Sequence, residues 1–242
     1  MPEARGAYAR PPRIGRVFVY RWGSTLPVTL IEPDVALTDF ALAAECAVFA
    51  GWLCRGAADS GPLRRWFIVL FAALCLGSLL GGITHGFFGP AQTDVSRALW
   101  IATLASIAIA ALACWGIGAH LLLPETYAKR VVALAALLLV VNLATVLFVS
   151  QAFAVAIAFY APAVVFVLVG LVVAYARSGK SHLFPGIIGV VLSLVAAAIQ
   201  QTHMEAFGLT HNALYHVVQA LALLLIFLTA RVLGTSSVSA VR

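Results

Sequence analysis

Two histidines and an asparagine stand close together at the start of the last apolar segment, in the stretch Leu209–Val218 (LTHNALYHVV). Their ring nitrogens and amide oxygen can ligate a metal ion or hydrogen-bond a polar ligand. Asn212 and His216 are four residues apart, so on a helix they share one face. His211 and His216 are five residues apart and point about 140° away from each other. The two histidines therefore do not form a simple ligand pair.

A second set of reactive side chains lies at the end of the second apolar segment, in GSLLGGITHGFF. Ser78 and His85 are seven residues, or two helical turns, apart and share a face. Asp94 follows near the start of the next segment. A hydroxyl, an imidazole and a carboxylate could together position and activate a water molecule.

Acidic side chains mark the first apolar segment, in EPDVALTDFALAAEC. Asp34 and Asp39 lie near its start, and Glu45 lies about two turns further in. A carboxylate inside a membrane span costs about 2.5–3.5 kcal/mol on insertion scales. We therefore expect Glu45 to face the inside of the bundle and to have a partner.

The composition indicates a membrane protein. The chain has 242 residues, of which 63% are hydrophobic and only 10% are charged, whereas roughly a quarter are charged in a soluble domain. The charges fall between apolar runs rather than along helix faces. We therefore predict a polytopic integral membrane protein with membrane lipid around it.

Seven apolar segments approach or exceed the roughly 20 residues that a spanning helix needs. They lack the alternation of a lipid-facing β-barrel, so the predicted fold is all-α. We expect a basic N-terminal tail over residues 1–32, a bundle of seven transmembrane helices over 33–234 and a short tail over 235–242. The predicted spans are Asp34–Cys54, Trp66–Phe88, Arg97–Leu123, Val131–Val149, Phe153–Ala176, Pro185–Gln201 and Asn212–Leu233.

The net charge of +6 follows the flanks of the spans, so we expect no nucleic-acid partner. On one side of the predicted bundle nine Lys and Arg residues flank the spans, whereas the short loops of the other side contain only Arg97. The positive-inside rule then predicts the N-terminus outside and the C-terminus in the cytoplasm. With this topology, the polar residues singled out above lie at one membrane depth, at the ends of neighbouring helices.

This pattern resembles the seven-helix hydrolase superfamily of alkaline ceramidases and adiponectin-receptor-like (PAQR) proteins. The resemblance is carried by Ser78 and His85 in the second helix, the following Asp94, and His216 in HNALYHVVQALALL. Two departures are visible. Six residues separate Ser78 from His85 where the family has three, and Asn212 stands where the first histidine of the seventh-helix pair would be.

The resemblance implies a zinc-dependent intramembrane hydrolase, ceramidase-like, that cleaves a lipid amide or ester. Zinc would be held by His85, His216 and either His211 or Asn212. Asp94 would orient the attacking water, and Ser78 would hydrogen-bond the oxyanion. The acidic first helix implies a second, calcium-like site made of Asp34, Asp39 and Glu45.

A different class of function uses the same polar residues without catalysis. Polar groups inside spans also mark ligand and ion pathways, so a non-enzymatic receptor, sensor or transporter is the alternative. Haem held by two histidines would need a pair that faces across helices, and no such pattern recurs. We expect neither haem nor a nucleotide, and the sequence leaves the oligomeric state open.

Overall fold

The computed structural model describes residues 18–20, 28–55, 61–89 and 93–233. Two short strands, β1 (Phe18–Tyr20) and β2 (Val28–Leu30), form an antiparallel pair. Most of the other described residues are helical, with short π and 3-10 turns at Thr84–Phe88 and Ser181–Leu183. The main helices are α1 Pro33–Cys54, α2 Pro62–Ile83, α3 Asp94–Leu122, α4 Glu125–Phe148, α5 Phe153–Ser178, α6 Phe184–Gln201 and α7 His211–Leu233.

Helix starts follow local chemistry. Proline stands in the first turn of α1, α2 and α6, where its missing N–H costs no hydrogen bond. The start of α3 is fixed by a capping box, in which Thr93 and Ser96 satisfy each other's backbone N–H groups. Each apolar segment predicted from the sequence overlaps one of these helices.

Seven helices of the described chain are long and apolar enough to cross a membrane. The prediction of seven helices of membrane-spanning length and hydrophobicity is confirmed. The predicted tails, 1–32 and 235–242, fall mostly outside the described residues. Within the first tail, the strand pair β1–β2 is described.

Six of the helices form a closed ring. Neighbours pack in the order α1, α2, α3, α5, α6, α7 and back to α1, while α4 packs mainly on the outside of α3. Chain direction alternates from helix to helix. The ring therefore gathers the starts of α1, α3, α5 and α7 and the ends of α2 and α6 at one end.

Glycines allow the ring to close tightly. A Cβ on Gly82 would lie 2.8 Å from the ring of Phe40, where α1 meets α2. A Cβ on Gly189 would lie 2.6 Å from the carbonyl oxygen of Ala222, where α6 meets α7. Small residues at such contacts let helix backbones approach closely and gain van der Waals contact.

The interior of the bundle differs between its two ends. Where α1 and α7 end, it is filled by an aromatic cluster. In this cluster Phe49 stacks on Phe227 with ring centroids 4.2 Å apart, and Phe71 meets Phe49 edge-on. The other end of the bundle contains a cavity that is partly lined by polar side chains. The outer face of α4 exposes aliphatic residues such as Leu134, about 60% accessible.

Candidate functional site

A cavity of about 240 Å³ lies inside the ring, at the end where α1, α3, α5 and α7 begin. Polar or ionisable side chains from five of the ring helices and the π turn reach it, and apolar side chains such as Leu74, Ile107 and Leu223 close it off. The polar lining consists of Asp39, Ser78, His85, Trp100, Thr103, Gln200, Asn212, Tyr215, His216 and Gln219.

His216 is held on both ring nitrogens by the first turns of α1. Its Nε2 lies 3.2 Å from Oδ1 of Asp39, and its Nδ1 lies 3.1 Å from Oγ1 of Thr38. A carboxylate can only accept a hydrogen bond, so the contact with Asp39 assigns the ring proton to Nε2. Nδ1 of the neutral ring then accepts from the Thr38 hydroxyl. Thr38 and Asp39 together satisfy both ring nitrogens.

The carboxylate of Asp39 is nearly inaccessible, with 5% of its side chain exposed against 11% for His216. It lies against α2 at a glycine, because a Cβ on Gly81 would come within 3.1 Å of its Oδ2. A buried carboxylate is stable only when paired or hydrogen-bonded. The Asp39–His216 pair is therefore the most strongly constrained element of the cavity.

His85 reaches the cavity from the π turn that follows α2. The wider turn leaves backbone carbonyls that accept from the segment before α1: Ile31 N donates to Gly86 O, and Glu32 N donates to His85 O. This contact brings Glu32 Oε2 to 2.5 Å from Nδ1 of His85. The carboxylate fixes the ring orientation, and π turns inside helices often occur at functional sites.

The loop before α7 is tied to the start of α1. Asp34 Oδ2 accepts from the backbone N–H of Thr210 at 3.2 Å and from its hydroxyl at 2.8 Å. Thr210 precedes α7, so Asp34 sets the position of the turn that carries Asn212. The amide oxygen of Asn212 accepts from Nε2 of Gln200 at 3.4 Å.

The predicted site residues separate into two groups. Ser78, His85, Asn212 and His216 all line the cavity. His211 does not line it, because its Nε2 lies 3.1 Å from Nδ1 of His203 in the exposed loop. Asp94 also lies outside the lining and is exposed in the first turn of α3.

The acidic residues of α1 have separate partners. Asp34 bonds to Thr210 and Asp39 pairs with His216. Glu45, which was expected to have a partner, has one buried carboxylate oxygen without a hydrogen bond in the described structure. Within residues 28–55, 61–89 and 93–233, no three His, Cys, Asp or Glu side chains form a group that could hold a metal ion.

Glu32 and Thr38 are positioning residues that sequence reasoning did not single out. Thr38 lies four residues after Asp34 and therefore on the same helix face, directly beside Asp39 in sequence. Three polar residues so close together at a helix start, Asp34, Thr38 and Asp39, could have indicated a binding site from the sequence. Glu32 could not be recognised in this way, because its contact with His85 depends on the π turn after α2.

Fold and site together define a seven-helix protein with the dimensions of a multi-pass membrane protein and a polar cavity between its helix ends. The chain belongs to the family of unknown function DUF6962, whose model matches residues 35–235. The match contains every residue that lines the cavity. No curated protein and no solved structure matches the sequence.

Proposed function

We propose that the chain is an integral membrane protein whose cavity binds the polar part of an amphipathic molecule. The seven apolar helices and the aliphatic outer face of α4 support its place in a bilayer. Basic residues at one end support an N-terminus outside and a C-terminus in the cytoplasm. The cavity then lies near the head groups of the outer leaflet.

The residues that line the polar cavity support a ligand with a polar head group. Ser78, Thr103, Gln200 and Asn212 offer neutral donors and acceptors, and the acidic and imidazole groups among the lining residues are Asp39, His85 and His216. At about 240 Å³ the cavity is slightly smaller than most small-molecule sites, which run from roughly 300 Å³ upward. It therefore suits a head group better than a whole lipid.

An adjoining cleft would take the apolar part. A pocket of about 50 Å³ between α3, α5, α6 and α7 shares Leu74, Ile107 and Phe153 with the cavity. Apart from a few polar groups such as Tyr160 and Ser193, its walls are aliphatic or aromatic. A polar chamber joined to a narrow apolar cleft of this size suits a molecule with a small polar head group and the first carbons of one alkyl chain.

Ligand-induced stabilisation tests this function. Purified protein in detergent would be heated with a single-chain amide, a single-chain amino alcohol and a plain alkane of equal chain length. We expect the polar ligands to raise Tm and the alkane not to, since binding to the folded state adds RT ln(1 + [L]/Kd) to stability. Absence of any shift with every polar ligand would contradict the proposal.

A neighbouring pair of variants provides the control. Ser78→Phe would place a ring in the cavity, whereas Leu79→Phe would add the same ring to an outward position that is 42% exposed. We expect Ser78→Phe to abolish the ligand-induced shift and Leu79→Phe to keep it. Equal shifts in both variants would place binding elsewhere.

The zinc hydrolase implied by the resemblance is the second candidate. One observation favours it. Nδ1 of each cavity histidine contacts a side-chain oxygen at or just before the start of α1: Glu32 for His85 and Thr38 for His216. Metal-binding histidines are typically oriented by such an outer partner. His85, His216 and Asp39 are donors of the types that zinc accepts.

The described side chains do not form a complete zinc site. No group of three donors is assembled among them, and His211 and Asp94 lie away from the cavity. The zinc and calcium sites stay predictions that require His85 or a second carboxylate to move towards the Asp39–His216 pair.

Metal analysis decides between the two candidates. Purified wild-type protein and His216→Ala would be analysed for zinc and calcium and assayed for release of fatty acid from a lipid amide. One zinc per chain that is lost in His216→Ala, together with turnover, would establish the hydrolase. Metal-free protein without turnover that still binds amphiphiles would establish the binding function.

A further inference from the structure

A second cavity lies at the opposite end of the bundle, between α2, α3 and α4. It has a volume of about 330 Å³ and is formed where α2 and α4 begin and α3 ends. None of its residues belongs to the polar cavity described above. Its rim is formed by Arg65, His120, Glu125 and Lys129.

The charge of this groove is positive. Glu125 is shared between two neighbours, with Oε1 3.3 Å from Nζ of Lys129 and Oε2 3.4 Å from Nδ1 of His120. Arg65 is exposed and has no acidic partner within the described part of the chain. Two permanent cations that line the groove, Arg65 and Lys129, against one carboxylate leave one positive charge in excess.

The inner wall of the groove is apolar. Trp66, Val69 and Val132 line it together with Pro62. Trp66 is held in place by close packing, because a Cβ on Gly116 would lie 2.4 Å from its indole ring. The groove therefore offers cations at its rim and a fixed hydrophobic surface beneath them.

We propose that this groove binds the head group of an anionic phospholipid. The phosphate would lie between Arg65 and Lys129, and the glycerol and upper acyl chain would lie along Trp66 and Val132. The chemistry calls for an amphiphile, because a free phosphate would leave the apolar wall unused. This proposal rests on the membrane insertion proposed above and is independent of the ligand in the polar cavity.

The position of the groove agrees with this ligand. The described residues at the same end include six further cations, Arg55, Arg64, Arg130, Arg177, Lys180 and Arg231. By the positive-inside rule this end faces the cytoplasm. Basic pockets between helices on that side bind anionic head groups, and the cytoplasmic leaflet is often rich in such lipids.

Native mass spectrometry of the detergent-purified full chain tests the proposal. The protein would be titrated with dioleoyl phosphatidylglycerol and, separately, with dioleoyl phosphatidylcholine. We expect phosphatidylglycerol to bind at least tenfold more tightly. Replacing Arg65 and Lys129 by Gln in one variant is expected to weaken its binding about 30-fold, since each surface cation contributes roughly 1 kcal/mol.

Two controls separate a site from diffuse attraction. The variant Arg130→Gln/Arg177→Gln removes the same charge from the same end without touching the groove, and it should keep its phosphatidylglycerol affinity. Val132→Trp fills the apolar wall and leaves the charge unchanged, and it should lose affinity. Each variant would be checked by its Tm before titration.

The outcomes that overturn the proposal are distinct. If both charge variants lost the same affinity for phosphatidylglycerol, the basic end of the bundle would attract anions without a specific site. Competition by excess inorganic phosphate as effective as that by the lipid would mean that the groove binds soluble anions. Equal affinity for both lipids would refute this site alone, whereas association with neither lipid would also refute membrane insertion.

Discussion

The hydrogen bond between Thr38 and His216 lends itself to a quantitative test. Thr38→Val keeps the shape of the side chain and removes the hydroxyl that hydrogen-bonds to Nδ1 of His216 at 3.1 Å. Because the His216 side chain is only 11% exposed, water cannot readily replace that hydroxyl. The variant should therefore leave a buried ring nitrogen without a partner in the wall of the polar cavity.

The size of the effect follows from two ranges. A buried polar group that loses its partner costs about 1–3 kcal/mol, whereas hydrogen bonds between helices in a membrane average about 0.6 and reach about 1.7 kcal/mol. We expect Thr38→Val to lower the free energy of unfolding by about 1–2 kcal/mol. In a cycle with His216→Phe, the double variant should be less destabilised than the sum, by about 1 kcal/mol.

The measurement is unfolding of the purified protein by titration with a denaturing detergent. Thr145→Val is the matched control, because the Thr145 hydroxyl donates to the Val141 carbonyl of its own helix, α4. That variant should change stability by less than about 0.5 kcal/mol. Equal effects at positions 38 and 145, or additivity within about 0.3 kcal/mol in the cycle, would refute the assigned contact.

Two further predictions concern packing. Asn142 is 1% exposed, and both polar atoms of its side chain lack a hydrogen-bond partner in the described structure. We expect Asn142→Leu to raise the free energy of unfolding by about 1 kcal/mol in the same assay. A lower free energy of unfolding would mean that the amide binds an internal water or a ligand. Gly189→Ala should cost about 1–3 kcal/mol, because its Cβ would lie 2.6 Å from the Ala222 carbonyl. In contrast, Gly51→Ala, with nothing within 4 Å of its Cβ, should be neutral or stabilising, and equal losses in the two variants would contradict this packing.

The sequence predicted the helices well because their signal is local. Apolar runs of about 20 residues define the seven helices, and prolines mark the starts of α1, α2 and α6. Alternating helix direction then places Ser78, His85, Asn212 and His216 at one end, where all four line the cavity. Spacing along one helix also separated His211 from His216, and the structure has His211 paired with His203 in the loop.

The partners of these residues depend on contacts between helices that no local pattern encodes. Asp39 and His216 are far apart in sequence, and their pairing requires α1 and α7 to be adjacent in the ring. Glu32 reaches His85 only because the π turn frees carbonyl groups that bind the segment before α1. Composition and spacing thus determined the helices and the end at which the polar residues gather, while the closing of the ring decided which of them touch.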